Sequence, residues 1–538
     1  MTEDPAEREI GLSRSTTVLA GAATIAAVTI AARVLGFVRV VVFARTVGPT
    51  CLGDVYTTAN TIPNIVFDIV AGGALSGLVV PVLASHVAAD DRERTSVLVS
   101  ALLTWVFILL VPIAVAGGLL ATPLMSLLVG GGHGSCGRSG EVATGAAMLR
   151  IFAPQIVLYG LGIVLTGVLQ ARRRFFGPAI APLLSSVVVI ATYLGYLSIN
   201  QHTDLSTHLQ SGTALLAVGT TLGVFALALP LAIPALRGLR IRPRLRLGDG
   251  VGGTVARLAL SGAAVLASQQ VAAAVVLREA NANGAAGAVV AWNLGWAVFL
   301  LPWAVLAVPV GTSAFPVLSV SWQEGNRSGF DALVLRTTRI VIVAMMLATA
   351  ALVAVCEPAS RVLIAGAPGE LPPSVLARTL VGFAIGLPAY GVMAHLTRVR
   401  FARNDPRSPA MCAAVGWACA IAAVVVSAPR VPSAWVPADL AFGASLGMWI
   451  STLGLAALTW RDLSEHGRLP RTTGTSVLAA LVAAPIGLVA TNALPAVGPV
   501  ASAGVAVLGG GVALAAAAGV ITALDRDLAR VLVRRLRA

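Results

Sequence analysis

Two stretches near the N-terminus decide the fold: TVLAGAATIAAVTIAARVLGFVRVVVFAR, Thr17–Arg45, and YTTANTIPNIVFDIVAGGALSGLVVPVLA, Tyr56–Ala84. Each apolar run exceeds the roughly 20 residues a helix needs to cross a bilayer. Three charges interrupt them: Arg33, Arg39 and Asp68. A charge at mid-membrane costs at least about 2.5–3.5 kcal/mol on insertion scales, so it marks a pathway or a partner. If the first helix runs outward to Ala44 and the second returns from Tyr56, Arg33 lies 11 residues before one end and Asp68 lies 12 after the other. At about 1.5 Å per residue the two share nearly one depth. One reading is an Arg33–Asp68 pair that locks two helices together. The other is an anion site in a hydrated cavity, with Asp68 restraining the arginines. Arg39 has no acid at its own depth within these stretches, which favours the second reading. The arginines are six apart, so they point roughly 120° from each other on a helix.

The rest of the chain is of the same kind. Of its 538 residues 57% are hydrophobic and 11% charged, and mean hydropathy is +0.88. A soluble chain carries about 25% charged residues. Repeated long apolar runs make this an all-α polytopic membrane protein. A β-barrel would alternate with period two, and no such alternation occurs. Net charge is +14, every basic residue is arginine, and the arginines fall in short loops, so membrane topology explains them better than nucleic acid does. Residues 1–15 mix Glu3, Asp4, Glu7 and Glu9 with Arg8 and Arg14, a poor start for a signal peptide. The N-terminus is expected to stay uncleaved and cytoplasmic.

The apolar pattern predicts about 14 transmembrane helices: 17–44, 56–84, 96–121, 145–170, 178–199, 212–236, 253–277, 285–319, 335–356, 374–397, 408–428, 438–460, 474–493 and 498–523. With the N-terminus inside, 27 of the 37 arginines fall in inside loops or helix ends, five outside and five within segments. That split supports both termini being cytoplasmic, because basic residues stay on the side from which helices insert. Cys51 and Cys136 then lie in external loops, where a disulfide between them can form. Neither these nor Cys356, Cys412 and Cys419 have a metal-ligand spacing.

An internal repeat organises the segments. Ile62-Pro63, Gly73-Ala74-Leu75-Ser76 and Pro81-Val82-Leu83 in the second segment find counterparts in Leu301-Pro302, Gly311-Thr312-Ser313 and Pro316-Val317-Leu318 of the eighth. The loop RRRFFGPAIAP, ending at Pro182, likewise resembles RFARNDPRSP, ending at Pro409. These offsets predict two parallel six-helix halves related by an axis along the membrane normal. The expected layout is a cytoplasmic tail over 1–16, halves over 17–246 and 247–470, two additional helices over 471–524 and a basic cytoplasmic tail over 525–538. Clustered Pro and Gly within membrane segments suit bends that open a cavity on alternate sides, which singles out Pro63, Gly73, Pro302 and Gly311. No phosphate-binding Gly-rich loop, zinc-protease motif or paired intramembrane carboxylates occur, so the chain reads as a transporter rather than an enzyme.

Arg33-Val34-Leu35-Gly36-Phe37-Val38-Arg39 resembles the first-helix motif of the MurJ/MviN lipid II flippase family, part of the multidrug/oligosaccharidyl-lipid/polysaccharide exporter superfamily. The likeness continues through Asp54, Pro63-Asn64 and the Gly73 and Pro81 motifs, and recurs from Leu301 to Pro316. The resemblance implies that Arg33 and Arg39 line a central cavity. It departs at four positions: an acid becomes Val40, a second-helix arginine becomes Phe67, a glutamate becomes Gly72, and an eighth-helix arginine becomes Ala297.

What the resemblance implies is a cell-membrane flippase for a polyprenyl-diphosphate-linked disaccharide-pentapeptide, lipid II. Arg33, Arg39 and Asp68 would form the substrate site. Asp54, Pro63, Asn64, Gly73, Pro302 and Gly311 would be structural or gating positions. The polyprenyl tail would lie in a groove made by segments 13 and 14. No catalytic residue, metal or cofactor is expected; a coupling ion is the one candidate. Expected partners are membrane lipids and wall-synthesis or division proteins, not nucleic acid. The alternatives are a drug or ion antiporter of the same superfamily, which Asp68 would suit, and a non-transporting scaffold for wall synthesis.

The arginine split makes a testable topology. Single cysteines placed between Arg237 and Arg246 should resist an impermeant thiol reagent applied to intact cells, and cysteines between Gln201 and Gln210 should react. The reverse pattern would invert the assignment.

Overall fold

The computed structural model describes residues 27–69, 83, 87, 89, 91–130, 137–199, 211–245, 251–463, 469–494 and 498–524, with backbone alone over 251–265 and 469–471. Gly73, Pro81, Val82, Cys136 and both tails lie outside the described residues. No strand occurs among the described residues. Lipid offers no partner to a free N–H or C=O, so spanning segments must satisfy their own backbone.

The expected segments follow in order. They are α1 (Ala27–Thr46), α2 (Cys51–Ile69), α3 (Arg92–Leu119), α4 (Arg138–Ala171), α5 (Phe176–Ile199), α6 (Ser211–Leu236) and α7 (Val251–Asn283). Then come α8 (Ala288–Gln323), α9 (Arg327–Ile364), α10 (Pro373–Ala402), α11 (Arg407–Ser427), α12 (Val436–Arg461), α13 (Leu469–Asn492) and α14 (Pro499–Leu524). Among the described residues, twelve of these helices are long and apolar enough to cross a membrane; α2 is described only to Ile69. Large apolar side chains such as Ile233 and Val500 face outward, 81% and 84% exposed, as lipid-facing surfaces require. Helix α9 has 38 residues, about 57 Å at 1.5 Å per residue, well beyond the ~30 Å hydrocarbon core. Hydropathy marks only the stretch in lipid, so the polar start of α9 escapes it. That start is fixed by Asn326, whose side chain accepts the Gly329 N–H at 2.9 Å.

The chain divides into two compact units. The first comprises residues 1–43, 59–122 and 144–263, and the second comprises 44–58, 123–143 and 264–538. The α1–α2 turn thus belongs to the second unit.

In the first unit, Leu98, Leu102 and Val106 of α3 pack with Val164, Leu165 and Val168 of α4. Residues 239–245 run along α3. The N–H groups of Arg240, Arg242 and Arg244 donate to the hydroxyls of Ser96, Ser100 and Thr104 at 3.3, 3.1 and 3.1 Å. Two residues of extended chain advance about 6.6 Å and four of helix about 6.0 Å, so alternate N–H groups meet every fourth helix residue. This ladder pins the arginine-rich loop to one helix face.

In the second unit, Phe299, Phe330, Phe383, Leu387 and Met448 join α8, α9, α10 and α12 in one core. The two C-terminal helices dock on α9, where Val343 and Ala350 meet Ala479, Ala483 and Ala517. Helices α11 and α12 touch backbone to backbone: a Cβ at Gly447 would stand 2.6 Å from the Gly416 carbonyl oxygen. Small residues let membrane helices approach this closely. Helix α8 is not uniform. A π turn, Trp303–Ala307, follows Pro302 and precedes Pro309, whose missing N–H cannot continue a regular ladder.

The repeated loops share one backbone design. Arg173 and Asn404 are the two non-glycine residues with positive φ among those described, at 57° and 59°. After α4, the Arg174 N–H donates to the Leu169 carbonyl at 2.8 Å and the Arg173 N–H to Gln170 at 2.9 Å. After α10, the Asp405 N–H donates to the Arg400 carbonyl at 3.0 Å and the Asn404 N–H to Phe401 at 3.0 Å. Both are Schellman helix ends. Their charges differ. Arg400, 5% exposed, lies 2.7 Å from Asp462 and 3.3 Å from Asp405, and Arg403 lies 3.0 Å from Asp462.

The glycine contacts are testable. A Cβ at Gly416 would collide with the Ser451 hydroxyl and the Gly447 carbonyl, whereas one at Gly474 meets nothing within 4 Å. Gly416→Ala should destabilise by about 1–3 kcal/mol through overpacking, and Gly474→Ala should be neutral or slightly stabilising. Thermal unfolding in detergent distinguishes them; equal melting temperatures would refute the close packing.

Candidate functional site

Helix α8 begins at Gly287, which has φ +88° and no side chain to cap the exposed N–H groups. Those donors are satisfied from another helix. The Gly287 N–H donates to Asp54 Oδ2 at 2.7 Å and the Val290 N–H to Oδ1 at 3.0 Å. Asp54, in the first turn of α2, is 6% exposed. A carboxylate suits the site because the first turn of a helix presents unpaired donors and the positive end of its dipole. The turn around it is tied down as well. The Arg45 guanidinium donates to the Val362 carbonyl at 2.8 Å, and the Asn281 amide donates to the Thr58 hydroxyl at 3.0 Å. Gly287 is obligatory: beyond its φ, a Cβ would lie 2.5 Å from the Pro49 carbonyl oxygen. Cys51, which opens α2, is disulfide-bonded; Cys356, Cys412 and Cys419 are free, and the expected partner Cys136 lies outside the described residues.

In the first unit, α1 carries Arg33 exposed and Arg39 half-buried, and α2 carries Asp68 exposed. Pro63 is buried within α2. Asn64 follows it, donating to the Asn60 carbonyl at 2.9 Å and accepting from the Tyr159 hydroxyl at 3.0 Å. Phe67 packs on the Tyr159 ring with centroids 4.5 Å apart. Phe67 is therefore held in an aromatic contact between α2 and α4.

In the second unit, Pro302 opens the π turn and Gly311 makes room for a cation. A Cβ at Gly311 would stand 2.9 Å from Arg398 Nη1, so the half-buried Arg398 of α10 lies across α8 there. The arginine distribution alone does not single out Arg398, because its position depends on a glycine 87 residues earlier. An aromatic ladder was missed as well. Trp292 and Trp296 stack at 5.9 Å, and Trp296, Phe299 and Trp303 each contact Tyr390. The spacing of 292, 296, 299 and 303 is helical, a signal that was available. An apolar cavity of about 330 Å³ lies between α9, α10, α12 and the start of α13, with Ile342, Val392, Trp449 and Thr473 in its wall.

The family described as "Lipid II flippase MurJ" matches residues 43–507. A protein of Rhizobium meliloti (strain 1021) described as "Probable lipid II flippase MurJ" is 27% identical over 488 residues, covering 86% of this chain and 85% of the relative. A "Lipid II flippase MurJ" of Burkholderia cenocepacia is 26% identical over 444 residues, covering 80% and 82%. Among solved structures, "Lipid II flippase MurJ, inward closed conformation" aligns with TM-score 0.74 at 16% identity, covering 94% of this chain and 99% of that one. An inward-facing MATE family multidrug transporter of the MOP superfamily aligns with TM-score 0.66 at 15% identity, covering 81% and 96%.

The Asp54 cap predicts a local effect. A charge-assisted hydrogen bond is worth about 1.5–3 kcal/mol, so Asp54→Ala should raise amide exchange at Gly287 and Val290 by about tenfold or more. Asp54→Asn, which keeps one acceptor, should fall between. Unchanged exchange in both would mean that another group holds the start of α8.

Proposed function

The chain belongs to the lipid II flippase MurJ family, and from that premise we propose that it carries a polyprenyl-diphosphate-linked disaccharide-pentapeptide across the cell membrane by alternating access. It is a transporter and performs no covalent chemistry. Both termini are cytoplasmic on the arginine distribution, which puts the α1–α2 turn at the external end.

The observation that carries this reading is the Asp54 latch. It joins α2 to the start of α8 through two backbone donors rather than through an ion pair. Two such bonds fix the turn firmly, yet they can be exchanged for water when the external end opens. Arg33 and Arg39 bind the diphosphate, because guanidinium donates paired, charge-assisted hydrogen bonds to phosphate oxygens. Asp68 limits the net positive charge, so that an anion which enters can also leave. The apolar cavity beside α13 takes part of the polyprenyl tail. It is walled by α9, α10, α12 and α13, and so differs from a groove made by α13 and α14 alone. An inside-negative potential favours outward movement of an anionic headgroup by about 2.3 kcal/mol per charge per 100 mV, and an ion gradient can add to it.

The test separates the arginines. Arg39→Ala should abolish lipid II flipping in reconstituted vesicles while the protein still inserts. Arg33→Ala should also fail. If the double variant Arg33→Ala with Asp68→Ala regains flipping, Arg33 serves only as a partner for Asp68, and the anion site falls to Arg39 alone. Loss of a pH-gradient response in Asp68→Asn with unchanged headgroup affinity would instead favour a proton-coupled antiporter.

A further inference from the structure

The first unit holds a basic cleft whose lining includes none of Arg33, Arg39 and Asp68. It measures about 470 Å³ and is lined by Arg92, Arg172, Arg174 and Arg237, with Asp91 as the acid among its lining residues. Asp91 is already committed. Its Oδ1 accepts the Arg94 N–H at 2.9 Å as the cap of α3, and its Oδ2 lies 3.4 Å from Arg94 Nε. Arg172 is structural, donating from Nη1 to the carbonyls of Ala235 and Arg237 at 3.0 and 3.2 Å. Burial, then the charges of Arg174 and Arg92, hold its guanidinium below the usual value. Arg92, Arg174 and Arg237 are exposed around the cleft.

The second unit shows what this arrangement leaves out. The two loops end their helices identically, so Arg174 occupies the position held by Asp405 after α10. Arg237 is the C-cap of α6, and Asp462 is the C-cap of α12. In the second unit those two aspartates neutralise Arg400 and Arg403. In the first unit both positions are arginine. The same scaffold is internally balanced in one copy and carries converging positive charge in the other.

We infer that the cleft between Arg174 and Arg237 is a binding site for a phosphate-bearing headgroup. Guanidinium pairs with phosphate oxygens through parallel charge-assisted bonds, and the ligand supplies the negative charge that Asp405 and Asp462 supply in the second unit. A lipid is the favoured source, because Phe175 and Phe176 follow Arg174 directly and are 43% and 57% exposed. Large apolar side chains next to a basic cluster suit a membrane interface. The site does not depend on the flippase reading, since its chemistry is binding alone.

The experiment is native mass spectrometry of the full-length protein from detergent, with phosphatidylglycerol, phosphatidylcholine of the same chains, or inorganic pyrophosphate. Replacing Arg174→Asp and Arg237→Asp together copies the second unit's charges. Wild type should retain phosphatidylglycerol at least tenfold better than this variant, with phosphatidylcholine retained equally by both. Arg174→Lys with Arg237→Lys should keep most of the binding, and Arg174→Gln, which touches none of the Arg172 hydrogen bonds, gives a milder loss should the aspartate pair fail to fold. Lipid binding that pyrophosphate displaces only weakly assigns a lipid source. Pyrophosphate binding that depends on the arginine pair, without lipid preference, supports the phosphate site and assigns a soluble source. Binding of both probes that is indifferent to Arg174 and Arg237 would overturn the proposal.

Discussion

A backbone in lipid has no water to turn to, and the described irregularities at and just beyond the ends of the spans carry the same device: N–H groups outside the helix ladders find side-chain acceptors. Where α8 starts, four N–H groups need acceptors, and the Asp54 carboxylate of α2 supplies two of them. Where the arginine-rich run leaves α6, alternate N–H groups find Ser96, Ser100 and Thr104. Within spans, hydroxyls turn back on their own helix, as Thr337 does to Leu333 and Ser360 to Cys356. At the start of α8 satisfaction comes instead from another helix. Such a bond cannot persist if the two helices part, which is why the proposed gating role falls on Asp54.

The helix ends after α4 and α10 show how one backbone solution carries two electrostatic designs. A Schellman end requires a residue with positive φ at one position. Asn404 adopts this readily. Arg173 does so at a cost, since side chains larger than Asn disfavour that region. The geometry is nonetheless kept in both loops, and the charge at the following residue is inverted. Packing dictates the backbone, and the side chain at the tip is free to serve a ligand or an internal salt bridge.

Much of the fold was legible because hydropathy reports the thickness of lipid directly. From the third segment on, the expected spans meet helices with ends shifted by at most eight residues, the largest shift being at α9, whose polar first turns extend beyond the apolar stretch; the first ten residues of the first segment and nearly all of the second half of the second lie outside the described residues. The site was less legible. Asp54 could be singled out only by resemblance, because its partners are backbone N–H groups of Gly287 and Val290, and any residue carries such a group. Arg398 was hidden for a similar reason, since its placement depends on the absence of a side chain at Gly311. The aromatic spacing from Trp292 to Trp303 was open to view. It went unread because aromatic residues at helical spacing are ordinary core in most helices.

The departures from the family pattern bear on how strongly an anion is held. On the motif resemblance, Phe67 and Ala297 stand where the family has arginines, and Gly72 and Val40 where it has acids. Cations and acids are lost together, so the balance between them shifts less than the loss of either would suggest. Phe67 is a packed replacement rather than a vacancy, since its ring lies against Tyr159. If Arg33 and Arg39 hold the anion as proposed, each remaining cation counts for more, and an anion held by fewer guanidiniums leaves more easily. Asp68, exposed on the same helix as Phe67, would push in the same direction. The proposed pathway would then gain release at the expense of capture, and the proposed cleft at the end of the first unit could gather phosphate without having to release it on the far side.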